Sequence, residues 1–118
     1  MVEQGLTENP IVNVLKDEIV VVFDRNLKYL YVNRAACLFL KRSEEELVGK
    51  CITDVYPHLL GSSNHNNLRS ALEGNHVQDV VETVSGHKAE VDYKPIFESG
   101  KVVYLVVKAN YLAAKAEP

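Results

Sequence analysis

Apolar and β-branched residues form two short runs near the start of the chain and three more towards its end. The first two runs, Ile19–Phe23 and Lys28–Val32, are separated by Asp24-Arg25-Asn26, which has the composition of a tight turn. This pattern predicts a β-hairpin. Ahead of it, a short helix is predicted over Thr7–Leu15, because apolar residues there repeat at intervals of three and four.

The late runs predict three more strands. His76–Val84 and Lys88–Phe97 flank the turn Ser85-Gly86, and the second of them alternates between apolar and charged residues, as a strand with one buried face does. Val102–Val107 is almost continuously apolar and is predicted to form the last strand. Residues 109–116 are predicted to form a short helical tail.

Signals for helices fill the middle of the chain. Asn33 is a suitable N-cap for a helix through Leu40, and Ser43 with Glu46 forms a capping box for a further helical turn. A third helix is predicted over residues 62–73, where serines start it and a glycine follows it. The segment between the last two helices is predicted to be irregular.

The order of these elements predicts the fold class. Two strands, several short helices and three strands indicate an α+β fold with a five-stranded antiparallel sheet and the helices on one face. A chain of 118 residues is long enough for a single domain with its own hydrophobic core. An apolar space between the helices and the sheet is the natural site for a small ligand.

Four stretches of the sequence, in the right order, resemble the PAS family. They are Val22–Ala36, Ser43–Lys50, Tyr93–Ile96 and Gly100–Val103. In the first, an apolar strand ends in Asp, a turn follows, and a second strand ends in Val-Asn-x-Ala. The resemblance extends over roughly residues 8–110, and it implies a five-stranded antiparallel sheet with flanking helices.

Val55–Gly61 with Leu68–Gly74 is similar to the PAS branch of bacterial sensor histidine kinases. The resemblance implies a sensory module, without enzyme activity of its own, that binds a small ligand or a partner protein and relays a signal to an output domain. A ligand-free interaction domain is the alternative. We expect a homodimer through the helix over Thr7–Leu15 and the sheet face away from the helices. One departure is residues 108–111, Lys-Ala-Asn-Tyr, where many family members have Asp-Ile-Thr leading into the output linker.

Charge and cysteine content narrow the partners and the compartment. The net charge of −3 leaves no basic surplus for contacts with phosphates, so nucleic-acid binding is not expected. Cys37 and Cys51 belong to no paired motif and are interpreted as reduced thiols, which favours a cytoplasmic location. The first residues show no signal-peptide pattern, and apolar runs such as Ile19–Phe23 are too short to span a membrane.

Several residues are candidates for lining a ligand pocket, and plain core packing is the alternative for each. They are Phe39, Val55, His65, Leu68, Leu72, Val91, Tyr93 and Val106. Steps of three and four place His65, Leu68 and Leu72 on one face of the third predicted helix. Tyr93 has a hydroxyl that could orient a ligand.

The sequence also bears on cofactors. Flavin is not expected, because Cys51 stands one residue before the position of the reactive cysteine in the light-sensing PAS branch, whose Asn, Arg and Gln are missing as well. Haem with His65 as axial ligand and Arg69 on a propionate stays open, beside a histidine that is merely hydrogen-bonded or solvated. The histidine spacings indicate no metal site, and no nucleophile or nucleotide-binding motif indicates catalysis.

Overall fold

The computed structural model describes residues 18–82 and 88–111. The predicted helix over Thr7–Leu15, the turn Ser85-Gly86 and the end of the predicted tail lie outside these residues. The strands are β1 Ile19–Asp24, β2 Tyr29–Val32, β3 Val77–Glu82, β4 Lys88–Glu98 and β5 Lys101–Tyr111. The helices are α1 Arg34–Leu40, α2 Glu44–Leu47, α3 Ile52–Val55 and α4 Ser63–Leu72, with a 3-10 turn at Pro57–Leu59 before α4.

The strands form one antiparallel sheet in the order β2-β1-β5-β4-β3. The last strand, β5, lies at the centre, where Ala109 pairs with Ile19 of β1 and Val107 pairs with Tyr93 of β4. The predicted fold, in which two early strands join three late ones in a single antiparallel sheet, is confirmed. Strands that are far apart in the sequence therefore form one wall, against which the helices pack.

The first hairpin is closed by the side chain of Asp24. Its Oδ1 accepts hydrogen bonds from the backbone N–H groups of Asn26 at 2.8 Å and Lys28 at 3.0 Å. Aspartate is favoured in turns for this reason, so the turn predicted here is confirmed. The register shifts once along the β1–β2 pair, and this irregularity places Tyr29 opposite Phe23.

Asn33 and Ser43 begin the two helices that were predicted from them. Asn33 Oδ1 accepts a hydrogen bond from the N–H of Ala36 at 2.8 Å at the start of α1. Ser43 Oγ accepts from the N–H of Glu46 at 3.2 Å, and Glu46 Oε1 accepts from the N–H of Ser43 at 2.8 Å. The capping box is therefore complete.

The longest described helix, α4, also begins and ends where the sequence predicts. Ser62 Oγ accepts a hydrogen bond from the N–H of His65 at 3.2 Å and caps the helix. Gly74 follows the helix with φ of +105°, a conformation that L side chains rarely adopt. A Cβ atom on Gly74 would lie 3.5 Å from the ring of Phe97, which is an ordinary van der Waals contact, so it is the positive φ that favours glycine here.

Two local predictions are wrong. The segment predicted to be irregular between α2 and α4 contains α3 and the 3-10 turn. Residues 109–111, predicted to begin a helical tail, are the end of β5, because Ala109 pairs with Ile19 on one side and Val91 on the other. Pairing with two neighbouring strands outweighs the weak helical preference of a few residues.

The core lies between the inner face of the sheet and the helices. Along β4, Ala89, Val91 and Tyr93 are buried, and the residues between them point to the outer face. Helix α4 packs against β3, β4 and β5, and α1 packs against β1. The alternation predicted for this strand is confirmed, and it defines which side chains can face a ligand inside the domain.

Candidate functional site

A cavity of about 70 Å³ lies between the inner face of the sheet and helices α1, α3 and α4. The strands contribute Ile19, Val21, Phe23, Tyr29, Val81, Val91, Val107 and Ala109 to its wall, and the helices contribute Phe39, Leu40, Ile52, Asn64 and Leu68. None of these side chains is charged, and Asn64 is the single amide among aliphatic and aromatic groups. The cavity is therefore suited to a small and mostly apolar molecule.

A hydrogen bond joins the sheet to α4 beside this cavity. Tyr93 is fully buried on β4 and donates from its hydroxyl to Oδ1 of Asn64 at 2.6 Å. Burial raises the pKa of Tyr93 to about 12, with a further rise from the charge of Asp79 and an opposing effect of a hydrogen bond with Asn67. The hydroxyl, like any tyrosine hydroxyl, is protonated at neutral pH, and it donates to the side-chain oxygen of Asn64.

Tyr29 is a second buried tyrosine, and it forms part of the cavity wall. It is 2% exposed, and its ring centroid lies 4.8 Å from that of Phe23. Burial raises the pKa of Tyr29 well above its usual value, Tyr56 adds to the rise, and Arg42 acts against it. Among the described residues the Tyr29 hydroxyl has no hydrogen-bond partner, whereas the hydroxyl of Tyr56 accepts from Nε of Arg42 at 3.1 Å.

The structure brings three of the predicted pocket residues into the wall of the cavity. These are Phe39, Leu68 and Val91. Val55 and Leu72 are half-buried and pack against the same core, but they do not line the cavity. The helical spacing that joined Leu68 to Leu72 thus identifies a core face, of which only part borders the cavity.

His65 and Tyr93 lie behind the wall rather than in it. His65 follows Asn64 on α4 and is 8% exposed, and it does not line the cavity. Tyr93 reaches the cavity through its hydrogen bond to Asn64. Each of them therefore contacts or adjoins a wall residue, so a substitution at either position would act on the cavity indirectly.

Val106 lies on the opposite face of the sheet from the cavity, which corrects its predicted position. It is half-exposed and pairs with Val22 and Lys94, whereas the next residue, Val107, lines the cavity. Successive side chains of a strand point to opposite faces. A continuous apolar run such as Val102–Val107 does not reveal which set faces inward, so the prediction selected the wrong one.

The sequence analysis did not identify the two polar residues of the wall. Asn64 stands four residues before Leu68, and that helical spacing indicates a shared face. Tyr29 is placed by the irregular register of the β1–β2 pair, for which the sequence offers no evident signal.

The family comparison agrees with this architecture. The family profile described as PAS fold matches residues 15–109, which is most of the chain. The chain belongs to the PAS family. PAS domains are sensory modules that are common in histidine kinases and other regulators. Among curated protein sequences, none matches this PAS domain.

Solved structures share the PAS fold at low sequence identity. A sensory box sensor histidine kinase from Vibrio cholerae is 12% identical with a TM-score of 0.70, over 86% of this chain and 86% of that one. The PAS domain of nitrogen regulation protein NR(II) from Vibrio parahaemolyticus is 19% identical with a TM-score of 0.57, over 87% and 97%. A structure of VqmA bound to DPO is 18% identical with a TM-score of 0.64, over 87% and 56%. At these identities the likeness shows the fold.

The outer sheet face of the PAS domain carries a separate polar cluster. Nε2 of His76 lies 2.7 Å from Oδ1 of Asp92, and Nε2 of Gln78 donates to the same oxygen at 2.8 Å. Burial alone would raise the pKa of Asp92, but the hydrogen bonds from Gln78 and His76 and the charges of His76 and Lys108 hold that pKa below its usual value. The part of the outer face formed by β3 and β4 is therefore polar, and its side chains are hydrogen-bonded to one another.

The described part of this PAS domain contains neither a candidate metal site nor a helix that could span a membrane. Residues 18–82 and 88–111 contain no group of three or more His, Cys, Asp or Glu side chains that could hold a metal ion. Within the same residues, no helix is long and apolar enough to cross a bilayer.

Cys37 and Cys51 are unbridged, and burial, with a smaller effect of Glu44, raises the pKa of the Cys37 thiol.

Proposed function

We propose that this PAS domain binds a small ligand in the cavity and relays that event to the output domain of a larger regulator, such as a histidine kinase. The observation that carries the proposal is the uncharged cavity of about 70 Å³ between sheet and helices. Two structures of similar fold support the two parts of the proposal, ligand binding and relay to an output domain. One is described as bound to DPO, and the other is described as a sensor histidine kinase. Catalysis is assigned to other domains of the regulator.

The relay has a physical route through the hydrogen bond beside the cavity. Asn64 lines the cavity and holds α4 against β4 through Tyr93. Ala109, near the end of β5, lines the same cavity. A ligand that displaces either residue changes how α4 packs on the sheet, and β5 carries the change towards the C-terminal end of the domain.

Release of a bound molecule tests this proposal. The purified chain is examined by native mass spectrometry, and the molecules freed on denaturation are identified by liquid chromatography and mass spectrometry. Val91→Phe, which fills the cavity, is expected to lose the molecule. The matched variant Val106→Phe, on the outer face, is expected to retain it.

Two results would count against a cavity ligand. One is an equal yield of the molecule from both variants. The other is a wild-type chain that releases nothing and whose amide NMR spectrum responds to no compound in a metabolite library.

A second candidate function, association without a ligand, is favoured by the apolar half of the outer face. Val22 pairs with Tyr31 on one side and Val106 on the other, and Tyr31 and Tyr104 are 49% and 46% exposed. Adjacent exposed apolar side chains are typical of an interaction surface. The partner in this proposal is a second copy of the chain, with the helix predicted over Thr7–Leu15 contributing to the contact.

Light scattering after size-exclusion chromatography tests this association. Val106→Lys places a charge in the apolar half of the outer face and is expected to convert a dimer of the full chain into a monomer. Val80→Lys is the matched control, because Val80 is exposed on the outer face of edge strand β3. A wild-type chain that remains monomeric at high concentration contradicts the proposed dimer.

Haem is not supported as the resident group. A haem held by His65 would need an open space at the imidazole, but His65 is buried and does not line the cavity, which at about 70 Å³ is far smaller than a porphyrin. The residues around the cavity therefore do not fit the group in this arrangement. A Soret band in the purified protein that disappears in His65→Ala would overturn this conclusion.

A further inference from the structure

Tyr29 is 2% exposed and lines the cavity, and its hydroxyl has no hydrogen-bond partner among the described residues. Buried polar groups in folded proteins are nearly always paired, and an unpaired hydroxyl destabilises the fold. Elsewhere in the described core, Tyr93 and Tyr56 each use their hydroxyls in a hydrogen bond. Because Tyr29 lines the cavity, this exception among the described residues favours an occupant of the cavity that supplies a partner for the hydroxyl.

The volume of the cavity limits the size of that group. A cavity of about 150 Å³ lined by aliphatic and aromatic side chains admits benzene, which has six non-hydrogen atoms. By proportion, the cavity of about 70 Å³ admits a molecule of about three non-hydrogen atoms.

The lining defines the chemistry of the occupant. No lining side chain is charged, so an ion would find no opposite charge in the wall, and this favours a neutral occupant. A tyrosine hydroxyl is protonated at neutral pH, so that of Tyr29 can donate a hydrogen bond. The Asn64 amide uses its oxygen for Tyr93, which leaves its NH2 group as a second donor on the cavity wall.

We propose that the cavity recognises a neutral molecule of about three to four non-hydrogen atoms that carries one hydrogen-bond acceptor, such as a small aldehyde, ketone or alcohol, and that the Tyr29 hydroxyl donates to that acceptor. This inference rests on the proposed sensory function and specifies the ligand class of the same cavity. The apolar remainder of the molecule contacts the aliphatic wall.

Two probes of matched size test the proposal in the full chain. Acetonitrile is neutral, has three non-hydrogen atoms and carries one acceptor, and xenon is an apolar sphere of similar volume. Both are titrated against protein with 13C-labelled methyl groups, and the shifts of cavity methyls such as those of Val91 and Leu68 are followed by NMR. We expect Tyr29→Phe to weaken acetonitrile binding by about three- to tenfold and to leave xenon binding unchanged, because only acetonitrile uses the hydroxyl.

The stability of Tyr29→Phe provides a second measurement that does not depend on binding. Because the wild-type hydroxyl is unpaired, the variant is expected to unfold at the same urea concentration as the wild type or a higher one. Tyr93→Phe, which loses a hydrogen bond, is the matched control and is expected to unfold at a lower concentration.

The outcomes separate this inference from the function on which it rests. If both probes bind and Tyr29→Phe weakens neither, the ligand class is overturned while a cavity ligand stands. If neither probe moves the cavity methyls, because the space is collapsed or holds only water, the inference and the cavity-based function are overturned together.

Discussion

Asn33 bonds to backbone groups of two elements with a single side chain. Its Oδ1 accepts from the N–H of Ala36 in α1 at 2.8 Å and from the N–H of Val20 in β1 at 3.2 Å. Its Nδ2 donates to the carbonyl oxygen of Glu18 at 2.9 Å. This residue therefore fixes the start of the first helix relative to the sheet.

Asn33→Ala is expected to lower the free energy of unfolding by about 1–3 kcal/mol, because it removes a helix cap and leaves partly buried amides unpaired. Urea unfolding measures the change. Asn66→Ala is the matched control, because Asn66 is exposed on α4, and its effect should stay within about 0.5 kcal/mol. Equal losses in the two variants would show that the side chain of Asn33 acts as an ordinary surface group.

The buried tyrosines predict a loss of stability in alkali. Burial raises the pKa of Tyr93 to about 12, so the folded state retains a proton that the unfolded chain releases near pH 10. The contribution of protonated Tyr93 to the stability of the folded state is therefore complete below about pH 10 and is lost as the pH rises towards 12.

Above about pH 10, the unfolding free energy of Tyr93→Phe is accordingly expected to fall less steeply with rising pH than that of the wild type. Unfolding free energies measured in urea between about pH 8 and pH 11 check this. Tyr104→Phe is the control, since Tyr104 is 46% exposed, and it should follow the wild-type curve. Identical pH dependence in all three proteins would contradict the burial of the Tyr93 hydroxyl.

At the scale of elements, the sequence predicts best what is decided by neighbouring residues. The turn at Asp24, the cap at Asn33 and the capping box of Ser43 each depend on hydrogen bonds within a few residues, and all three form as predicted. The strand β4 is equally clear, because its alternation shows which face is buried. These elements in order are sufficient for the fold class.

Strand β5 shows where this kind of inference stops. Its run from Val102 to Val107 is apolar at the inward and the outward positions alike, so the sequence carries no alternation there. Neither the inward set of side chains nor the extension through Ala109 can be deduced from such a run. Both are determined by pairing with β1 and β4, which are distant in the sequence.

The register of β5 makes a prediction about two adjacent residues. Leu105 is fully buried opposite Phe23, and Val106 lies half-exposed on the outer face. Leu105→Ala is expected to cost about 2–5 kcal/mol of unfolding free energy, because it opens a space in the core. Val106→Ala is expected to cost less than about 1 kcal/mol in the same urea titration. The reverse order would mean that the strand presents its other face to the core.

At the scale of the whole molecule, the candidate site was only partly predictable. Leu68 and Val91 follow from the helical spacing of α4 and the alternation of β4, Phe39 is predicted from its place in a mostly apolar helix, and all three meet at the cavity. Asn64 and Tyr29 could not be predicted in this way, because a search for apolar periodicity does not select polar residues. Their placement requires the packing of α4 on the sheet and the irregular register of the first hairpin.

The hydrogen bond between Tyr93 and Asn64 joins α4 to β4 beside the cavity. If the bond couples helix and sheet, Asn64→Ala and Tyr93→Phe should not have additive effects on stability. We expect a coupling energy of about 0.5–1.5 kcal/mol from a double-mutant cycle in urea. The cycle of Asn66→Ala with Tyr93→Phe is the control and should be additive, because Asn66 makes no side-chain bond to β4 among the described residues.

Amide hydrogen exchange shows which elements open more often when the hydrogen bond between Tyr93 and Asn64 is removed. Either single variant should speed amide exchange in α4 more than in β1, because the helix loses one of its side-chain bonds to the sheet, keeping that of Asn67 to Asp79, while β1 keeps its pairing with β2 and β5. Such local opening is what a sensor requires, since a ligand that takes over Asn64 would loosen α4 without unfolding the sheet. Uniform acceleration in α4 and β1, together with an additive cycle, would instead mean that helix and sheet open only together, and the route proposed for the signal would be lost.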